Sequence, residues 1–129
     1  MPEQPRHRLK VENIGDITVV HFTDKKIQDK PNIQIIGDEL FQLVDNMGRC
    51  RLLLDFNHVE YLSSGALGKL ITLQNKVKAA GGWLVLCNIE PRIHEVLKIS
   101  KLDRIFRIHP IEADPAAGLA RLLAELKAG

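Results

Sequence analysis

A chain of 129 residues has the length of one ordinary domain, because domains cluster near about 100–150 residues and a second full core would not fit. Its 45% hydrophobic and 26% charged residues match globular averages and exclude a disordered, collagen-like or low-complexity chain. Eighteen Lys and Arg against sixteen Asp and Glu leave a dispersed +2, without the basic stripe that a phosphate backbone requires, so no direct nucleic-acid partner is expected.

Residues 1–7, MPEQPRH, form a polar leader with a carboxylate, two prolines and no apolar stretch behind it, unlike a secretory signal. The longest apolar run, Cys50–Phe56, is interrupted by Arg51 and falls far short of the roughly 20 residues of a membrane span. A cytoplasmic chain without membrane contact is expected, with a single domain over residues 8–127. Within it, Leu9, Val11 and Ile14 alternate with Lys10 and Glu12, and Gly15-Asp16 then leads into the β-branched run Ile17–Phe22, the pattern of an antiparallel hairpin. Thr23–Lys30 reads as a polar loop. Pro31 suits a first helical turn, Ile33, Ile36, Leu40, Leu43, Val44 and Met47 recur at helical spacing, and Gly48 ends the helix. Arg51–Phe56 is continuously apolar, as in a central strand covered on both faces.

A second helical period follows Ser63-Ser64-Gly65 through Leu67, Leu70, Ile71, Leu73 and Val77, closing at Gly81-Gly82. Trp83–Cys87 supplies another buried strand, Pro91 opens a helix through Ile93, Val96 and Leu97, and Arg104–Ile108 reads as a last short strand. Asp114-Pro115 caps a final helix through Leu119, Leu122, Leu123 and Leu126. Strand and helix alternate from residue 50 onward, which implies βαβ units added to the hairpin. The expected fold is α/β: a mixed sheet of about five strands with about four helices packed on it.

Cys50 and Cys87 lie in apolar, strand-like runs without CxxC spacing and read as buried thiols. His7, His21, His58, His94 and His109 fall on separate elements with no HxxxH or HExxH pair, and no carboxylate dyad for acid–base catalysis stands out. No metal, no cofactor and no enzymatic activity are expected. The unusual features gather in Asp55–Lys69, DFNHVEYLSSGALGK. It fails as a phosphate-binding P-loop, because two residues separate Gly65 from Gly68 and Leu70 replaces the Mg²⁺-binding hydroxyl. It fails as a hydrolase elbow, because neither serine has Gly two positions earlier. What remains is a loop–helix junction at which Ser63 or Ser64 caps the helix. A hydroxyl there also suits phosphorylation, since the helix dipole and free N–H groups tolerate an added charge of about −1.5 to −2.

The stretch Leu52–Phe106 resembles the STAS domain of bacterial anti-sigma factor antagonists. Asp55 matches the turn after that family's buried strand, Ser63-Ser64-Gly65 and Leu67-Gly68 its D-S-S-G-L-G-like helix start, Gly81-Gly82 the pair before the next strand, and Leu102 the late leucine turn. The resemblance implies partner switching: the unmodified antagonist binds an anti-sigma factor of the serine protein kinase type and frees the sigma factor, phosphorylation breaks that complex, and a serine phosphatase resets it. Ser63, the first serine of the pair, inherits the phosphoacceptor role, with Ser64 the second choice and the expected helix cap. Leu62 stands where the family often has Asp, and Thr23-Asp24-Lys25-Lys26 replaces its Gly-containing acidic turn. The expected partner face gathers Asp24, Lys25, Lys26, Asn57, His58, Ser63, Ser64 and Gly65 at one end of the sheet, with Lys69 and Lys76 as charge contacts, on a protein monomeric when alone. The alternative is a scaffold or sensor role in a larger STAS-domain complex; a nucleotide-binding or hydrolytic protein ranks third.

Overall fold

In the computed structural model, which describes residues 8–128, β1 (Leu9–Ile14) and β2 (Ile17–Phe22) pair as the expected antiparallel hairpin, Leu9 opposite Phe22 and Ile14 opposite Ile17. Gly15 permits the two-residue turn by taking φ +60°, where a Cβ is unfavourable. The leader 1–7, with His7, lies outside the described residues. There follow β3 (Lys26–Ile27), α1 (Lys30–Asp45), β4 (Arg51–Asp55), β5 (Tyr61–Leu62), α2 (Ser64–Ala79), β6 (Trp83–Ile89), α3 (Pro91–Ile99), a 3₁₀ turn (Leu102–Arg104), β7 (Arg107–Pro110) and α4 (Pro115–Ala128). The main sheet runs β1-β2-β4-β6-β7, parallel from β2 onward. Parallel neighbours cannot be joined by a tight turn, and α1, α2 and α3 provide the crossovers. The result is the α/β fold expected from the sequence.

Successive strand residues point to opposite faces, and here both faces are covered. Val20, Leu52, Leu54, Leu84 and Leu86 join Leu40 of α1, Leu70, Leu73 and Val77 of α2, and Ile93 and Leu97 of α3 in the larger core. The alternate residues Ile17, Val19, Leu53, Val85 and Cys87 form a smaller core under Leu122, flanked by Leu119, Leu123 and Leu126 of α4. This explains the unbroken apolar reading of β4.

Three local expectations are corrected. The polar segment 23–30 is not entirely loop: β3 pairs in parallel with β5, Lys26 with Tyr61 and Ile27 with Leu62, and buries Ile27. A two-residue strand carries no periodicity, and its partner is distant in sequence. The last strand begins at Arg107 rather than Arg104, because Lys101 at φ +62° initiates the 3₁₀ turn that occupies Leu102–Arg104. Cys50 precedes β4 and is only half-buried, whereas Cys87 is buried and its thiol is pushed up to about 12 by burial and then by the Asp55 charge.

The Gly81-Gly82 pair has two separate causes. Gly81 turns the chain at φ +79°, and Gly82 passes so close to Cys50 that a Cβ would overlap its carbonyl oxygen, the acceptor for the Trp83 N–H at 2.9 Å. Gly68, on α2, has nothing within 4 Å of the position a Cβ would take. The two glycines should therefore respond oppositely to the same methyl group. Gly82→Ala is expected to lower stability by about 1–3 kcal/mol or more, and Gly68→Ala to raise it by about 0.5–1 kcal/mol, read as shifts of the urea midpoint; equal shifts would contradict the packing described.

Candidate functional site

The junction before α2 is held by backbone groups. The Ser63 N–H donates to the Ile27 carbonyl at 3.0 Å, extending the β3–β5 pairing by one residue, and the Ser63 carbonyl accepts the Leu67 N–H at 3.0 Å to begin the helix. Between these two bonds Ser63 takes φ −75° and ψ 167°, an N-cap conformation, and its Oγ accepts the Ala66 N–H at 3.3 Å. This corrects the expected division of labour between the serines: Ser63 caps α2, while Ser64 is its first helical residue and is exposed. The register of the cap is set by where β5 ends, which adjacent serines do not reveal. No acidic residue occupies the first turn of α2, so the positive end of its dipole is uncompensated there. Leu62 is buried on β5 at 8% exposure, so an aspartate at this position would be desolvated.

A second polar centre lies where β2, β4 and β6 end. Asp55, only 6% exposed, accepts at Oδ1 from the Asn57 N–H at 3.0 Å and Asn88 Nδ2 at 2.8 Å, and its Oδ2 lies 2.7 Å from His21 Nδ1. His21 Nε2 lies 2.9 Å from Glu12 Oε1, giving an unbroken carboxylate–imidazole–carboxylate chain across β4, β2 and β1. Asn88 Nδ2 also reaches the Pro115 carbonyl at 3.3 Å, which fastens the start of α4 to the same carboxylate. These groups, with Lys10, Asn57 and His58, line a cleft of about 350 Å³. Asn88 and His58, neither of them glycine, take φ +54° and +79° beside it. The sequence singles out Asp55 and Asn57 but not His21, Glu12 or Asn88 beside them, because His21 stands opposite Asp55 only through sheet register.

The expected partner face is therefore divided. Lys25 and Lys26 join the Ser63 side, since the Lys25 carbonyl accepts from the N–H groups of Glu60 and Tyr61 at 2.7 and 3.2 Å. Asp24 is tied to Arg8 at 3.1 Å, and Asn57 and His58 border the Asp55 cleft. Gly65 is exposed next to Ser64. Lys69 and Lys76 are built into the α1–α2 contact: Lys69 lies over the Phe41 ring and packs its stem against Gly37, while Lys76 bonds Asp45 at 2.8 Å and also overlies Phe41. Lys76 is also about 20 Å along the helix from Ser63, at 1.5 Å per residue. Among the described residues no cluster of three or more His, Cys, Asp or Glu is placed to hold a metal ion, and no helix is long and apolar enough to cross a membrane.

A family model described as the STAS domain matches residues 8–114. A Thermotoga neapolitana protein named as a candidate anti-sigma factor antagonist, a homologue of TM1081, is 34% identical over 91 residues, covering 70% of this chain and 80% of its own. The TM1081 crystal structure from Thermotoga maritima superposes with a TM-score of 0.70 at 23% identity, covering 89% of this chain and 96% of that one. The phosphorylated form of the Bacillus cell fate determinant SpoIIAA shares the fold with a TM-score of 0.65 at 15% identity, over 88% of this chain and 98% of its own.

Two pairs of substitutions test these local assignments. Ser63→Ala is expected to cost about 0.5–2 kcal/mol through loss of the cap, while Ser64→Ala, at an exposed first helical position, changes stability by less than about 0.5 kcal/mol; the reverse order in urea unfolding would return the cap to Ser64. Asp55→Ala strips the acceptor from three donors and is expected to cost about 3–5 kcal/mol. Asp55→Asn keeps one acceptor oxygen and should cost less, about 1–3 kcal/mol. If both Asp55 variants unfold at the wild-type urea concentration, the carboxylate does not hold the strand ends together.

Proposed function

The chain belongs to the STAS-domain family, a regulatory family with the fold of anti-sigma factor antagonists, and from that premise we propose that it is itself an anti-sigma factor antagonist working by phosphorylation-controlled partner switching. In its unmodified form it binds an anti-sigma factor of the serine protein kinase type and so releases the sigma factor. Phosphorylation of Ser63 ends that complex, and a serine phosphatase restores it. The protein needs no cofactor for this and performs no catalysis.

The observation that carries the reading is the position of Ser63 at the cap of a helix whose first turn holds no acidic residue. Transfer of a phosphoryl group from ATP to Oγ forms the serine ester, with ADP as the leaving group and the hydroxyl proton passing to the kinase's base. The new group brings a charge of about −1.5 to −2 and three acceptor oxygens to a helix N-terminus where the Ala66 N–H already points at Oγ. The helix end accommodates it, but a partner packed over Ser63, Ser64 and Gly65 would have to desolvate it. Exposed Lys25 and Lys26 alongside give the same face a positive rim. That a phosphorylated state of the structurally similar Bacillus antagonist has been characterised supports the same reading.

The test is incubation with kinase-type anti-sigma factors and ATP, phosphate mapping by mass spectrometry, and calorimetric binding before and after modification. Phosphate is expected on Ser63, with a loss of affinity of about 10²–10³-fold and an unchanged far-UV circular dichroism spectrum. Ser63→Ala should bind and never be switched off. Phosphate on Ser64 with normal switching of Ser63→Ala would move the acceptor by one residue, and loss of helical signal on phosphorylation would replace this mechanism with an order–disorder transition.

A further inference from the structure

β1 is the outer strand of the main sheet, and among the described residues no strand pairs with its outer edge. Its inner edge is fully registered on β2. Just before it, the Thr23 N–H donates to the Arg8 carbonyl at 3.3 Å. Antiparallel ladders alternate, so Lys10, Glu12 and Ile14 direct their backbone groups to β2, while Leu9, Val11 and Asn13 direct theirs outward. Lys10, Val11, Glu12 and Asn13 are all exposed, Val11 at 40%. On one side of the strand, Val11 borders a groove of about 400 Å³ shared with Leu43 and Met47 of the α1 region, where Met47 is 64% exposed. An edge of this kind is a template for another strand unless its charges forbid it.

The charges of β1 forbid most pairings with a second copy and favour one. Two copies can join antiparallel only where outward-directed residues face outward-directed residues, which places a two-fold axis through Lys10, Val11 or Glu12 when the strands overlap well. An axis through Lys10 sets lysine against lysine, and an axis through Glu12 sets glutamate against glutamate. With the axis through Val11, each Lys10 stands opposite the Glu12 of the other copy, in the non-hydrogen-bonded pairs whose side chains approach most closely. The same register lets Val11 pair with Val11, and Leu9 with Asn13, through their outward N–H and C=O groups. Val11 of each copy is then covered beside Met47.

We propose that β1 is a self-association edge, and that two copies of this chain pair antiparallel about Val11 into one continuous ten-stranded sheet, in place of the monomer expected from the sequence. The interface is isologous, so it closes at the dimer and does not propagate. It uses neither Ser63 nor the start of α2, and it stands independently of the partner-switching reading.

Sedimentation velocity on the full chain, from low to high micromolar concentration, tests it. The wild type is expected to shift reversibly from monomer to dimer, with concentration-dependent slowing of amide exchange at Leu9, Val11 and Asn13. Lys10→Glu and Glu12→Lys should each weaken the dimer by roughly 10–100-fold, since each turns two attractive pairs into repulsive ones. An equimolar mixture of the two variants should restore it, because every cross-strand pair is again opposite in charge. Thermal melts run alongside establish that both variants are folded, as Glu12→Lys also removes the His21 contact. A monomeric wild type throughout the range overturns the proposal, as does a dimer insensitive to both reversals or one that the mixture fails to restore. Protection of the β1 amides only when a different protein is added would likewise overturn it and assign the edge to that protein.

Discussion

The carboxylate of Asp55 ties together the parts of this molecule that the two hydrophobic cores leave loose. The sheet is closed by apolar contacts along most of its length, but those contacts stop where β2, β4 and β6 end. There Asp55 takes donors from β2, from the turn after β4 and from β6, and Asn88 passes the connection on to the first residue of α4. At 6% exposure such a charge would be costly alone. The three partners, the His21 imidazole among them, make it tolerable, and they fix the direction in which each strand end leaves the sheet. The cost and the benefit are both local: remove the acceptor and the donors remain buried around a gap.

That arrangement bears on the junction at Ser63 through the loop it anchors. Asp55 holds the Asn57 N–H, Phe56 packs its ring 4.7 Å from that of Phe22, and the Val59 N–H returns to the Phe56 carbonyl at 2.9 Å. The chain leaves this turn aligned for two residues of β5 against β3, and Ser63 follows at the end of that short pairing. Backbone bonds position Ser63 on both sides, while its side chain contributes one cap bond. A group added to Oγ can therefore alter what the surface binds without dismantling what places it. This is the structural condition for a switch acting on association in preference to folding.

The two faces of the sheet have unequal anchoring. Three helices share the larger core, whereas α4 alone covers the smaller one, with Gly118 and Leu122 its buried residues. The Asn88–Pro115 contact and the Arg121–Glu112 pair at 2.7 Å supplement that narrow apolar contact. Cys87 sits in this second layer as a protonated thiol, with burial and the neighbouring Asp55 both opposing its ionisation. Its role is packing.

The sequence by itself determined the long elements, the α/β class and the location of the helix junction. Runs such as Arg51–Asp55 and the spacing of Leu67, Leu70, Leu73 and Val77 are long enough for periodicity and burial to agree, and Gly15 and Gly81 mark turns by a conformation few other residues accept. The Ser63-Ser64-Gly65 motif was equally legible, because its meaning depends on neighbouring residues. Which serine caps the helix was decided only in the tertiary structure, by the register at which β5 meets β3. The Glu12–His21–Asp55–Asn88 chain and the burial of Lys69 and Lys76 stems against α1 arose the same way. Periodicity reports which face a residue occupies but not which residue stands across from it; contacts between distant segments are fixed when strands choose a register and helices choose a depth, and at those positions a polar side chain has the same appearance in sequence whether it meets water or a partner.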